Sequence, residues 1–262
     1  MTPAPPSFEQ QRAAHAAALP RVSRRRVSPT RSIRTLLFTA PCIWWASPAA
    51  ADVGASVSLF SESSFRGYSL SEGRPVAFLN LSYDDPSGLY AAASGTAVFG
   101  SGEAVDPLSF QLNGGYARRL TSDMVLDLGV THSDYSKYAS TGSSSYTEIY
   151  AGLSRKALSA RVSYAPHYFV HGASSLYGEV DVNVSPAAKT NLNAHVGLLI
   201  PLDYAENAEK PHNQHDWRIG VVHQVGRISL QAFLTGGGPG RDYYRGHYHS
   251  RTNLVFGLSY PL

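Results

Sequence analysis

From Ala55 onward, apolar residues recur at every second position, and residues of the opposite parity are polar or very small. Leu108, Phe110 and Leu112 form one such row, and Leu126, Leu128 and Val130 form another. Leu158/Ala160/Val162/Tyr164, Val180/Val182/Val184 and Leu192/Ala194/Val196/Leu198 continue it, as do Trp217/Ile219/Val221, Ile228/Leu230/Ala232/Leu234 and Leu254/Phe256/Leu258/Tyr260/Leu262. The alternate rows read Gln111/Asn113, Asp127/Gly129/Thr131, Asn193/His195/Gly197 and Ser229/Gln231. A period of two is the mark of a β-strand with two unlike faces. Segments of this length, repeated in series, predict about twelve antiparallel strands.

Connection lengths carry a second signal. Short turns fall at 84–88, 121–123, 155–157, 185–190 and 225–227. Longer polar connections fall at 100–107, 133–145, 202–216 and 235–250, with 61–74 and 168–174 filling the two remaining places. Short and long alternate strictly. That is the arrangement of an outer-membrane barrel, with tight periplasmic turns, longer outer loops and an even strand number. The predicted fold is therefore all-β, an antiparallel transmembrane β-barrel over residues 52–262 with both termini periplasmic. A soluble sandwich or lipocalin-like barrel would need an apolar interior, whereas here each strand also has a polar row. Tyr83, Tyr90, Tyr116, Tyr146, Tyr164, Tyr168, Trp217 and Tyr260, near segment ends, suit aromatic girdles at the two membrane interfaces.

Composition agrees. Mean hydropathy is −0.17, and no run of about 20 apolar residues is present to make a transmembrane helix. The longest apolar stretch, 35–46, contains Pro41. It follows Arg31 and Arg34 and precedes Ala46-Ser-Pro-Ala-Ala-Ala51, the order of a basic, an apolar and a cleavage region in a signal peptide. Residues 1–51 are thus predicted to be a leader cleaved after Ala51. Seven of the 22 Lys/Arg and one of the 19 Asp/Glu lie in it, so the remainder carries three more acids than bases. The basic balance of the whole chain is no argument for nucleic acid. The single cysteine, Cys42, is also in the leader, so the barrel is predicted to hold without disulfides.

The stretch Phe65-Arg66-Gly67-Tyr68-Ser69-Leu70-Ser71, followed by Glu72 and Gly73, resembles the opening motif of the TorF-family porins, also described as the Gcw_chp family of exported proteobacterial proteins. Glu148-Ile-Tyr-Ala-Gly-Leu-Ser154 is similar to a mid-chain segment of the same family. The resemblance implies an outer-membrane barrel in a Gram-negative cell, acting as a pore.

A barrel of this size is intermediate between filled barrels and open porins. Parity puts Asp127, Glu148, Glu179 and Asp181 on the inner face of middle strands and Arg218 and Arg227 on late ones, with Arg161 and His195 among them. Such charges tune what passes. The function expected is passive diffusion of small polar solutes or ions. A plugged structural or ligand-binding barrel is the alternative, and a lipid-modifying enzyme using His167, His171, Ser174 and Ser175 a more distant one. No catalytic residue and no cofactor is predicted. His212, His215, His247 and His249 are the weak metal candidates, lacking a four-ligand pattern. Gly236–Gly240 reads as a flexible loop without the features of a phosphate cradle. The partners expected are outer-membrane lipid and lipopolysaccharide, the barrel-assembly machinery through the C-terminal strand, and small polar solutes. That strand ends on Leu262 rather than the aromatic residue common in such barrels. Homo-oligomerisation is left open.

Overall fold

The computed structural model describes residues 51–100, 105–136, 144–169, 173–203, 212–238 and 252–262. Twelve long strands follow one another as antiparallel hairpins: β1 (Asp52–Phe60), β4 (Val76–Asp84), β5 (Leu89–Phe99), β6 (Val105–Arg119), β7 (Met124–Tyr135) and β8 (Ser144–Arg155), then β9 (Leu158–Ala165), β10 (Ser175–Ala187), β11 (Thr190–Pro201), β12 (Gln214–Val225), β13 (Ile228–Gly238) and β14 (Thr252–Pro261). The first pairs with the last through Ser56–Pro261 to Phe60–Gly257, so the sheet closes on itself. Closure satisfies the strand-edge N–H and C=O groups within the protein. Two very short strands, β2 (Ser64–Phe65) and β3 (Tyr68–Ser69), form a separate hairpin between β1 and β4.

The predicted strand number and closure are observed. The turns Asp85–Gly88, Leu120–Asp123, Lys156–Ala157, Ala188–Lys189 and Gly226–Arg227 all lie at the end of the barrel where Asp52 and Leu262 also lie. In the first of these, Ser87 hydrogen-bonds Asp85 through side chain and backbone and holds its carboxyl below the usual carboxylate range. The leader predicted over 1–51 lies outside the described residues but for Ala51, and the barrel begins at Asp52.

Parity decides which side chain faces where, and the apolar rows turn outward. Ile149, Val196, Ile219, Leu230, Leu254 and Phe256 are exposed on the cylinder's outer surface. Tyr83, Tyr116 and Tyr260 ring the outside at the turn end, and Tyr164 and Trp217 stand outside near the other. A continuous oily belt of this kind is foreign to a soluble monomer, whose apolar patches seldom exceed a few hundred Å².

Two expectations about side chains need correction. Leu108 was placed on the outer row, but a β-bulge at Thr96/Ala97 shifts the parity of β6 and turns Leu108 inward, where it is 2% exposed. Tyr90, Tyr146 and Tyr168 were expected in the aromatic girdles, and all three are buried inside. Tyr146 shares parity with Glu148, so an inward Glu148 requires an inward Tyr146.

Inward tyrosines need floor space. A Cβ on Gly129 would collide with the hydroxyl of Tyr150, and one on Gly197 with that of Tyr177. Gly129→Ala therefore forces Tyr150 off its seat. The expected loss is about 1–3 kcal/mol, the usual range for overpacking, read as a lower urea midpoint of the folded barrel. An unchanged midpoint would show that the ring has room to move.

Candidate functional site: a hairpin lodged in a polar bore

The 61–75 connection turns inward rather than lying over the rim. Its tip is a two-residue turn with both central residues at positive φ, Arg66 at 45° and Gly67 at 81°, the geometry that matches strand twist in tight hairpins. The motif's serines tie the base. The Ser63 amide donates to Ser71 Oγ at 2.9 Å, and the Glu72 amide donates to Ser69 Oγ at 2.9 Å. Ser71 has no exposed surface.

The tip reaches across to β12 and β13. A Cβ on Gly67 would lie 2.9 Å from Gly237 Cα and 3.0 Å from Asp216 Cβ, so only glycine fits between hairpin and wall. Gly236–Gly238, expected to belong to a flexible loop, is the end of β13 and forms this seat. Pro239 and Gly240 lie outside the described residues, as do His171, His247 and His249.

Arg66 anchors the tip on the other side. Its guanidinium donates to Glu148 of β8 at 2.7 Å, with both side chains almost wholly buried. The same group lies 4.0 Å from the ring centroid of Tyr177 and 4.9 Å from that of Phe65. Phe65 packs against Tyr135 and Tyr146, which stack 6.3 Å apart, and Tyr168 and Phe169 close the cluster. The motif thus supplies an aromatic wedge, an ionic anchor, a tip without a side chain and two hydroxyl ties.

Below the hairpin, two polar networks line neighbouring parts of the wall and meet at β10. In one, Arg161 donates to Asp127 at 2.7 Å, lies 3.9 Å from Glu179 and stacks over Tyr150 at 4.2 Å. Tyr90 donates to Asp127 and meets the Tyr150 hydroxyl, and Asn113 donates to Thr131 at 2.8 Å. In the other, His195 stands between Asp181 and Asp216, each 2.9 Å from one ring nitrogen, and Tyr177 donates to Asp216 at 3.0 Å. A cavity of ≈ 120 Å³ remains beside the hairpin. Phe60, Phe78 and Phe233 line one part of it, Thr96, Gln111 and Ser133 another, and Glu62 and Arg218 face it too.

Of the eight predicted bore residues, Asp127, Arg161, Glu179, Asp181 and His195 gather in these networks, Glu148 holds Arg66 of the hairpin, and Arg218 faces the cavity. Arg227 does not: it sits exposed in the β12–β13 turn, stacked over Tyr260 at 4.9 Å. Parity fails there because a turn residue belongs to neither face. His212 is exposed ahead of β12, and His215 points outward at its start. Ser174 donates to Asp203 at 2.6 Å. Sequence reasoning missed Tyr177, Asp216 and the inward course of the hairpin. Asp216 shares the parity of Arg218 and was legible to that extent.

A closed cylinder, apolar outside and polar inside, is the β-barrel architecture of porins. Two porin structures share it. The structure titled "NanC porin structure in rhombohedral crystal form" superposes with a TM-score of 0.55 at 13% identity, over 79% of this chain and 100% of that one. The KdgM porin gives 0.51 at 10% identity, over 79% and 98%. No curated protein sequence matches the chain. The family model described as "Bacterial protein of unknown function (Gcw_chp)" matches residues 46–244, and the chain belongs to that family.

Proposed function

We propose that this protein is an outer-membrane channel for passive diffusion of small polar solutes or ions, with the hairpin between β1 and β4 setting its bore. The observation that carries this reading is the inversion of the barrel: oily rows on the outside and charged, hydrogen-bonding rows within. Lipid requires the first, and a hydrated path requires the second. The likeness of the Phe65–Ser71 motif to the TorF-family porins supports it. In this reading the short turns and both termini face the periplasm and the long connections face outward.

The charges give the channel a sign. Glu62, Asp127, Glu148, Glu179, Asp181 and Asp216 line the cavity and the two networks, against Arg66, Arg161 and Arg218. An excess of carboxylates in a narrow, low-dielectric bore favours cations. Purified protein in planar bilayers is expected to show discrete conductance steps and, in a KCl gradient, a reversal potential of cation-selective sign. Liposome swelling with solutes of graded size gives the cutoff. Repeated reconstitutions of folded protein without conducting steps would leave the plugged, ligand-binding barrel in its place.

A further inference from the structure

His195 is held in a way that conduction does not require. Both ring nitrogens face a carboxylate at 2.9 Å, Nδ1 towards Asp181 and Nε2 towards Asp216. Ionised carboxylates only accept hydrogen bonds. With both carboxylates ionised, hydrogen bonds on both sides call for a proton on each ring nitrogen, and a cation in place of one of those protons satisfies the same geometry. The two sides differ. On the Nε2 side Asp216 is itself fixed by the Tyr177 hydroxyl, which donates to it at 3.0 Å. Asp181, which faces Nδ1, is joined by a second carboxylate from its own strand, Glu179, and one ligand atom from each of Glu179, Asp181 and His195 lies within 4.8 Å of the others.

This is the arrangement of a metal-binding histidine. One ring nitrogen faces the ion, and the other donates to a carboxylate that orients the ring. Strand geometry produces it. Glu179 and Asp181 are two apart on β10 and share its inner face, and His195 is the register partner of Asp181 on β11. An ion bound at about 2.0–2.2 Å keeps its ligand atoms within about 4.4 Å of each other, so small side-chain adjustments complete the set. Charge favours it as well, since the surplus of acids in the bore leaves room for a divalent ion.

We infer that Glu179, Asp181 and His195 form a divalent transition-metal site inside the barrel, with Asp216 as the carboxylate that orients the histidine. One imidazole with two carboxylates fits Zn²⁺, Fe²⁺ or Mn²⁺ better than the all-oxygen preference of Mg²⁺ or Ca²⁺. Three protein ligands leave coordination positions open to water or to a passing solute. The site lies under the hairpin. Asp216 meets Gly67 at the tip, and the Tyr177 ring carries the Arg66 guanidinium. An ion that fixes His195 therefore also stiffens the seat of the hairpin.

The test uses full-length folded protein in detergent, stripped with a chelator and titrated calorimetrically with Zn²⁺. One ion per barrel is expected, with binding abolished in His195→Asn and in Asp181→Asn. In Asp216→Asn it should weaken by about 10–100-fold, the usual effect of losing an orienting partner. X-ray absorption on the Zn²⁺-loaded natural protein gives an answer that does not depend on any variant folding: one imidazole among oxygen ligands supports the site. A shell with two or more imidazoles would assign the ion to the loop histidines and overturn the inference. Absence of stoichiometric uptake, or uptake that persists in His195→Asn, overturns it too. None of these readouts needs the protein to conduct.

Discussion

Arg66→Ala is expected to widen the channel. The substitution leaves Glu148 buried at 2% exposure with its cationic partner gone. Breaking a buried ion pair from one side destabilises by about 3–5 kcal/mol. The contact with the Tyr177 ring, which at this burial is worth about 2 kcal/mol, goes as well. A two-stranded hairpin has little stability of its own, so the 61–75 segment should leave its seat while the closed wall stays folded. Single-channel conductance should rise severalfold. Glu148→Gln should do the same more weakly: it leaves the Arg66 guanidinium as the unpaired charge, but the amide oxygen can still accept a hydrogen bond from it. Combining the two changes should recover stability, since no lone charge remains, yet keep the larger conductance, since the ionic anchor is still absent. Folded Arg66→Ala protein with natural conductance would show that the hairpin does not limit the bore.

The second large effect concerns the other side of the wall. Val196 lies midway along β11, faces outward, and is flanked by Val180 and Trp217 in the neighbouring strands. If the barrel spans a bilayer, Val196→Arg should destabilise it by about 2–4 kcal/mol in lipid vesicles, the cost of arginine at the midplane of a barrel. Leu89→Arg, equally exposed but beside the turn Asp85–Gly88, should lose no more than about 1 kcal/mol because it lies near the interface. Equilibrium unfolding in urea measures both. A protein whose outer face met water would give values within about 0.5 kcal/mol of zero at both positions. The depth dependence is therefore the discriminating result.

Much of the barrel was legible from the chain itself. Alternation assigned Val196, Ile219 and Leu230 to the outside and Asp127, Arg161 and His195 to the inside, and the structure places them so. Where alternation was set aside, the reading went wrong. Tyr90 and Tyr146 were sent to the girdles for being aromatic and near a strand end, although their parity points inward. At Leu108 a single extra residue in β6 reversed the phase, which no periodic rule foresees without knowing the partner strand.

The functional interior was legible as a set of residue types, not as a set of partners. The sequence determined by itself that this chain forms a closed β-structure with unlike faces. Side-chain period and connection length are local properties, and each strand declares them without its neighbours. Only the tertiary structure decided that Arg66 meets Glu148, 82 positions away, that Asp216 and Asp181 grip one histidine from two strands, and that a loop without periodicity folds into the bore. Those contacts depend on the curvature of the closed wall and on where the hairpin finds a seat, and neither leaves a repeating mark along the chain.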